Sequence, residues 1–120
     1  MRYAYKIFDE VEFRPKTLFH GVSGSRFLPV GEWIEADIKQ VTDGSRQTPY
    51  LSGFHAYPLL NDIYRWAAGA KNLAGRVVVR VKVDECRSKP RAIRDTILAE
   101  RMYIPKSAWK KRISLDEFAV

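Results

Sequence analysis

The sequence predicts an α+β protein: a mostly antiparallel sheet of about six strands with one or two helices, in a single domain spanning residues 1–120. Period-two alternation recurs at both ends of the chain, and only the stretch after Pro58 has a clear helical period. The chain is 46% hydrophobic, too apolar for disorder. At this length it buries roughly 65% of its unfolded surface without a disulfide or metal. The lone Cys86 has neither an internal disulfide partner nor a CxxC neighbour, which fits a reducing, cytoplasmic setting. The longest aliphatic run, Val77-Val78-Val79, is far short of the ~20 residues of a membrane span. Met1 to Glu10 is charged and aromatic, unlike a signal peptide.

Tyr3 to Phe8 reads as a strand. Arg14-Pro15-Lys16 punctuates before a second strand over Thr17–Val22, and Ser23 to Arg26 is a turn. After the turn at Pro29-Val30-Gly31, Trp33 to Val41 alternates: Ile34, Ala36 and Ile38 share one face, while Glu35, Asp37 and Lys39 share the other. Thr42 to Ser52 is a polar loop, and Gly53 to Tyr57 a short strand. Pro58 suits a helix start, and Leu59, Leu60, Ile63, Trp66 and Ala67 form one apolar helical face that ends at Gly69. From Gly75 runs the strongest strand, with Val77, Val79, Val81 and Val83 on one face and Arg76, Val78, Arg80 and Lys82 on the other. Arg87 to Arg94 is a basic loop around Pro90. Ile97 to Ile104 is the last strand, stopped by Pro105. Residues 106–112 form a short basic helix, beyond which the chain frays.

Charge is unevenly distributed. Residues 1–60 hold seven Lys or Arg and seven Asp or Glu, whereas residues 61–120 hold fourteen and seven, so the whole net charge of +7 lies in the second half. That asymmetry points to an anionic partner, a nucleic acid or an acidic protein, or else to a solvated basic surface. Arg80, Arg91, Lys110 and Lys111 are the candidate contacts. Trp109, among Lys106, Lys110, Lys111 and Arg112, interleaves an aromatic ring with bases; Trp33 and Trp66 read as core.

Candidate chemistry is sparse. His20 and His55 each lie beside or near a glycine in a short apolar strand, where a ligand or another backbone can approach. Their spacing supports no metal site, and the chain has neither a P-loop nor a GxGxxG. Glu100 alternates with Leu98, Met102 and Ile104, and an acid on an apolar face must be paired, neutralised or functional. The opposite parity, Ile97, Ala99, Arg101 and Tyr103, is also partly apolar, so either face can be the inner one. An ion pair with a neighbouring arginine is the plain alternative to a catalytic role.

The order of these motifs resembles a known family. Leu18-Phe19-His20-Gly21 resembles the His-Gly strand of ADP-ribosyltransferases of the diphtheria-toxin and poly-ADP-ribose-polymerase type, to which RNA 2′-phosphotransferases are distantly similar. Gly53-Phe54-His55-Ala56-Tyr57 followed by Ile63-Tyr64, the valine strand, and Ile97-Leu98-Ala99-Glu100 are similar to that family's later segments. His55 stands where the family has a tyrosine, and Tyr57-Pro58 where it has a small hydroxyl residue. The resemblance implies an ADP-ribosyltransferase-like fold that binds NAD in a cleft. His20 and Gly21 would lie at the ribose and adenylate, Arg26 at the pyrophosphate, His55 or Tyr64 near the nicotinamide, and Glu100 would act as the catalytic carboxylate. Leu28-Pro-x-Gly-x-Trp33 with the later Gly-Phe-His is also similar to small phage-encoded proteins. The competing class is a non-enzymatic binding protein that engages nucleic acid or an acidic protein through its basic second half.

Overall fold

The computed structural model describes residues 1–18, 25–42, 49–69, 73–90 and 95–118. In chain order the elements are β1 (Arg2–Val11), β2 (Arg14–Lys16), β3 (Trp33–Glu35), β4 (Gln40–Val41), β5 (Tyr50–Leu51), β6 (Phe54–Ala56), α1 (Leu60–Gly69), β7 (Arg76–Ser88), β8 (Ile97–Tyr103), α2 (Lys106–Lys110) and β9 (Ile113–Ser114). A 3₁₀ turn, Leu115–Phe118, follows. The strand pairings are antiparallel, in keeping with the expected α+β class. No helix among the described residues is long and apolar enough to cross a membrane.

The main sheet runs β2-β1-β7-β8-β3, with β6 added to β8 and β9 to β7. β8 carries two strands end to end on its edge away from β7: β6 pairs with residues 97–99 and β3 with residues 101–103. The residue after β6, Tyr57, exchanges both backbone hydrogen bonds with Tyr5 of β1, at 2.7 and 2.8 Å. The sheet therefore curls into a half-barrel in which β6 meets both β8 and β1.

The pleat sorts the side chains. Val77, Val79, Val81 and Val83 line the concave face with Ala4, Phe8, Phe54, Ala56, Ala99 and Met102. The opposite face of β7 carries Val78, which packs with Ile7 under Ile63 and Ala67 of α1 and under Leu115. The valine face is buried as the alternation requires, but α1 docks on the Val78 side of the sheet, not on that face. Both faces of β7 are thus covered at residues 77–79, which explains their unbroken apolar run.

Several expected boundaries move. The helix starts at Leu60, and Leu59 before it is 57% exposed. Arg14-Pro15-Lys16 is not a break but strand β2; Pro15 supplies an acceptor there, taking the Leu28 N–H at 3.0 Å. Thr17 and Leu18 are not in a strand, and residues 19–22 of the expected second strand lie outside the described residues. The expected strand over residues 33–41 breaks after Glu35. The Ser52 hydroxyl donates to the Asp37 carbonyl (2.8 Å) and accepts the Lys39 N–H (3.0 Å), holding that segment off the sheet. Chain resumes as β4, which pairs with β5 inside the expected polar loop. β7 continues to Ser88, into the expected basic loop. The end does not simply fray: β9 pairs with β7, and Leu115 is fully buried.

Glu85 adopts φ 53°, in the left-handed region. On one side of it Val83 and Met102 contribute to the concave core; on the other, Ala99 does, with Cys86 packed against it. The inward parity of β7 and β8 therefore switches together where Glu85 faces Glu100. This resolves the two apolar parities of residues 97–104: each half of β8 presents a different parity to the core.

Candidate functional site

α1 and the 3₁₀ turn cover only part of the convex face of the sheet. Beyond them, β1, β7, β8 and β3 bring one residue each into register. Tyr3 is paired with Lys82, Lys82 with Tyr103, and Tyr103 with Trp33. The four side chains form a row across four adjacent strands, which lie roughly 4.8 Å apart. The Trp33 and Tyr103 ring centroids are 5.6 Å apart. The Lys82 ammonium lies 5.4 Å from the Tyr103 ring and 5.9 Å from the Tyr3 ring. The Arg80 guanidinium carbon lies 4.0 Å from the Tyr3 ring centre, and that of Arg101 4.9 Å from Trp33, distances at which a cation is attracted to a ring face. Tyr3 is 43% and Trp33 37% exposed.

Next to this row is a groove of about 360 Å³, with Tyr3, Tyr5, Arg80 and Lys82 on the sheet side and Ser107 and Lys111 on the other. Strand pairing explains it: along that edge of β7, β8 pairs from Lys82 onward and β9 only with Val77 and Val78. Residues 79–81 between them are spanned by the α2 segment instead of a strand. Among the described residues, no carboxylate forms an ion pair with Arg80, Lys82 or Lys111. Arg101, by contrast, lies 3.9 Å from both Asp84 and Glu35, and the N-terminal ammonium lies 3.3 Å from Asp84. The ammonium's hydrogen bond holds the Asp84 carboxyl below the usual range. That charge-balanced cluster bounds the row on one side and leaves the groove cationic.

Of the residues expected from sequence, Arg80 and Lys111 line the groove, and Lys110 is exposed on α2. Arg91, His20 and Gly21 lie outside the described residues. Arg26 sits 5.8 Å from the Phe54 ring and donates to the Glu35 carbonyl at 3.4 Å. His55 is half-buried in β6, in register with Leu98, and Tyr64 is half-buried on α1. Glu100 is ion-paired with Arg87 at 3.2 Å, and the same guanidinium donates to the carbonyls of Leu51 (3.2 Å) and Ser52 (2.6 Å). The pair thus pins the β5 segment to β7 and β8. Neither the groove nor a second cavity of about 270 Å³ near Arg2 and Lys89 is lined by Glu100, His55 or Tyr64.

Two tryptophans exchange their expected places. Trp109 is half-buried, edge-on to Phe8 at 6.4 Å, with its Nε1 donating to the Phe13 carbonyl at 3.1 Å, so it is a packing residue. Trp33, expected in the core, stands in the exposed row. Tyr3, Tyr5, Lys82 and Tyr103 were not singled out. The signal lies in parity: Tyr3, Tyr5 and Ile7 alternate against Ala4, Lys6 and Phe8. Comparisons with protein-family models, curated proteins and solved structures each returned no match.

Proposed function

We propose that the chain is a non-enzymatic nucleic-acid-binding protein whose contact surface is the groove between β1, β7 and α2. The observation that carries this reading is the union, on one open half-sheet, of three cations without carboxylate partners among the described residues (Arg80, Lys82, Lys111) with the aromatic residues Tyr3 and Tyr5. Unpaired cations attract phosphates without first breaking an ion pair, and rings beside them offer contact to bases. The catalytic alternative asks for a Glu100 carboxylate available to an NAD ribose; that carboxylate instead balances Arg87.

The test is fluorescence anisotropy of labelled oligonucleotides over a salt series. Binding that weakens steeply with salt supports the reading. No binding at ~50 mM salt, where phosphate contacts are strongest, overturns it. Preferential binding of an acidic peptide over any oligonucleotide also overturns it in favour of an acidic protein partner.

A further inference from the structure

Resting on that reading, we propose that the strand bound is single, and that its bases stack on the row formed by Trp33, Tyr103 and Tyr3. A duplex keeps its bases stacked on one another and presents mainly phosphates and groove edges. Such a surface is met by cations alone and gives no reason for exposed rings at this place. A single strand offers both a charged backbone and free base faces, and each base face stacks on a ring with little regard to sequence.

The register supplies both kinds of contact in order. Trp33, Tyr103 and Tyr3 lie in one cross-strand row, with Lys82 between the last two. From Trp33 to Tyr3 is three strand spacings, roughly 14 Å, room for about three bases, one to each ring. The Lys82 ammonium, within 6 Å of both neighbouring rings by the distances above, sits where the phosphate linking two stacked bases must pass. Arg80 extends the platform, because its guanidinium, centred 4.0 Å from the Tyr3 ring, is a planar group on which a base can stack beside that ring. The sugar–phosphate chain then continues along the groove toward Lys111. The charge-balanced cluster of Arg101, the N-terminal ammonium, Asp84 and Glu35 lies beyond the row and offers the backbone no net attraction, which sets the polarity of the surface.

The experiment compares a labelled 12-nucleotide single strand with the matched duplex, using the full chain and the variants Tyr3→Leu, Tyr103→Leu and Tyr103→Phe. The expected result is preference for the single strand. Each leucine variant should bind it ~5- to 100-fold more weakly, and Tyr103→Phe should retain affinity because the ring is kept. Quenching of intrinsic fluorescence on titration with the single strand, diminished in Trp33→Phe, would place a base on that ring. Equal affinity for the duplex, or leucine variants that bind as the parent does, overturns the stacking proposal while leaving a phosphate-binding groove in place. Absence of binding to either form removes the underlying reading as well. Thermal unfolding of each variant separates lost contact from lost fold, and the half-exposed Tyr3 is the safer of the two positions.

Discussion

The ammonium of Lys6 donates to the backbone carbonyl of His55 at 2.7 Å, inside the half-barrel where β1 meets β6. Lys6 shares the concave parity of Ala4 and Phe8 and faces Val79 across the ladder. Only 8% of its surface is exposed. The Phe8 and Phe54 rings lie 5.7 and 5.9 Å from its nitrogen. These contacts offset part of the cost of burying a cation among apolar side chains.

That cost has a pH signature. Burial lowers the Lys6 pKa from 10.5 to about 8. Between those two values the unfolded chain holds the proton and the folded chain releases it, so stability rises with pH across that window; below it both states are protonated and the penalty is constant. Lys6→Met removes the titration but leaves the His55 carbonyl without this donor, so two effects of about 1–3 kcal/mol oppose each other at neutral pH. The expected result is therefore a slope. The stability of the parent relative to Lys6→Met should climb from pH 8 to pH 10.5 in urea denaturation, and a flat difference would contradict a buried, titrating amine.

The other end of β1 is tied to the C-terminal segment. Glu10 accepts two hydrogen bonds from the Arg112 guanidinium, one from Nε and one from Nη2 at 3.1 Å. This pairing holds the Glu10 carboxyl below its ordinary value. A depressed acid stabilises the fold above the unfolded pKa and loses that contribution as pH falls through the folded value. Glu10→Gln should cost about 1 kcal/mol at pH 7, the low end for a charge-assisted pair because solvent screens it. Parent and variant should converge in acid, below the ordinary carboxylate range, and a gap that persists there would mean the glutamate acts by packing.

Two glycines should respond to alanine with opposite signs. A Cβ on Gly53 would stand 2.9 Å from the Ala99 carbonyl oxygen and 3.3 Å from its nitrogen, both backbone atoms of β8 that cannot swing aside. Gly53→Ala should therefore destabilise by ~1–3 kcal/mol, as overpacking does. A Cβ on Gly69, the last residue of α1, meets nothing within 4 Å. Gly69→Ala should stabilise by ~0.4–1 kcal/mol through the lower entropy of the unfolded chain. Urea midpoints of the two variants read the contrast directly.

The parts of this fold that repeat a period were legible, and the parts that break one were not. Val77 to Val83 alternate without interruption, and Ile63 and Ala67 recur at helical spacing, so each apolar face could be read off, but not that the two lie on opposite sides of the sheet. The hairpin between β1 and β2 was missed because its two turn residues, Glu12 and Phe13, adopt φ 53° and 63° without being glycine or asparagine. The strand after Glu35 was over-extended because Ser52, a distant hydroxyl, captures the backbone at Asp37 and Lys39. Glu100 could not be assigned a face because β7 and β8 switch parity together at Glu85. The aromatic row was hidden for a different reason: Trp33, Tyr103, Lys82 and Tyr3 belong to four strands and meet only through register. Arg80 and Lys111 were legible as cations, but nothing local to them reveals a shared groove.

The salt dependence of binding should identify which cations touch phosphate. Each phosphate neutralised on a single strand adds about −0.7 to the slope of log affinity against log salt. Arg80, Lys82 and Lys111 line one groove and lack carboxylate partners among the described residues, so each can meet a phosphate without breaking a bridge. Arg80→Gln, Lys82→Gln and Lys111→Gln should each weaken binding and make the slope shallower by up to ~0.7. Arg65→Gln, on the exposed side of α1, removes the same charge away from the groove. It should lower affinity only through the long-range field and leave the slope nearly unchanged. The comparison separates a localised site from net charge: if Arg65→Gln changes the slope as much as Lys82→Gln does, the whole basic surface attracts the polymer and the groove has no special claim to it.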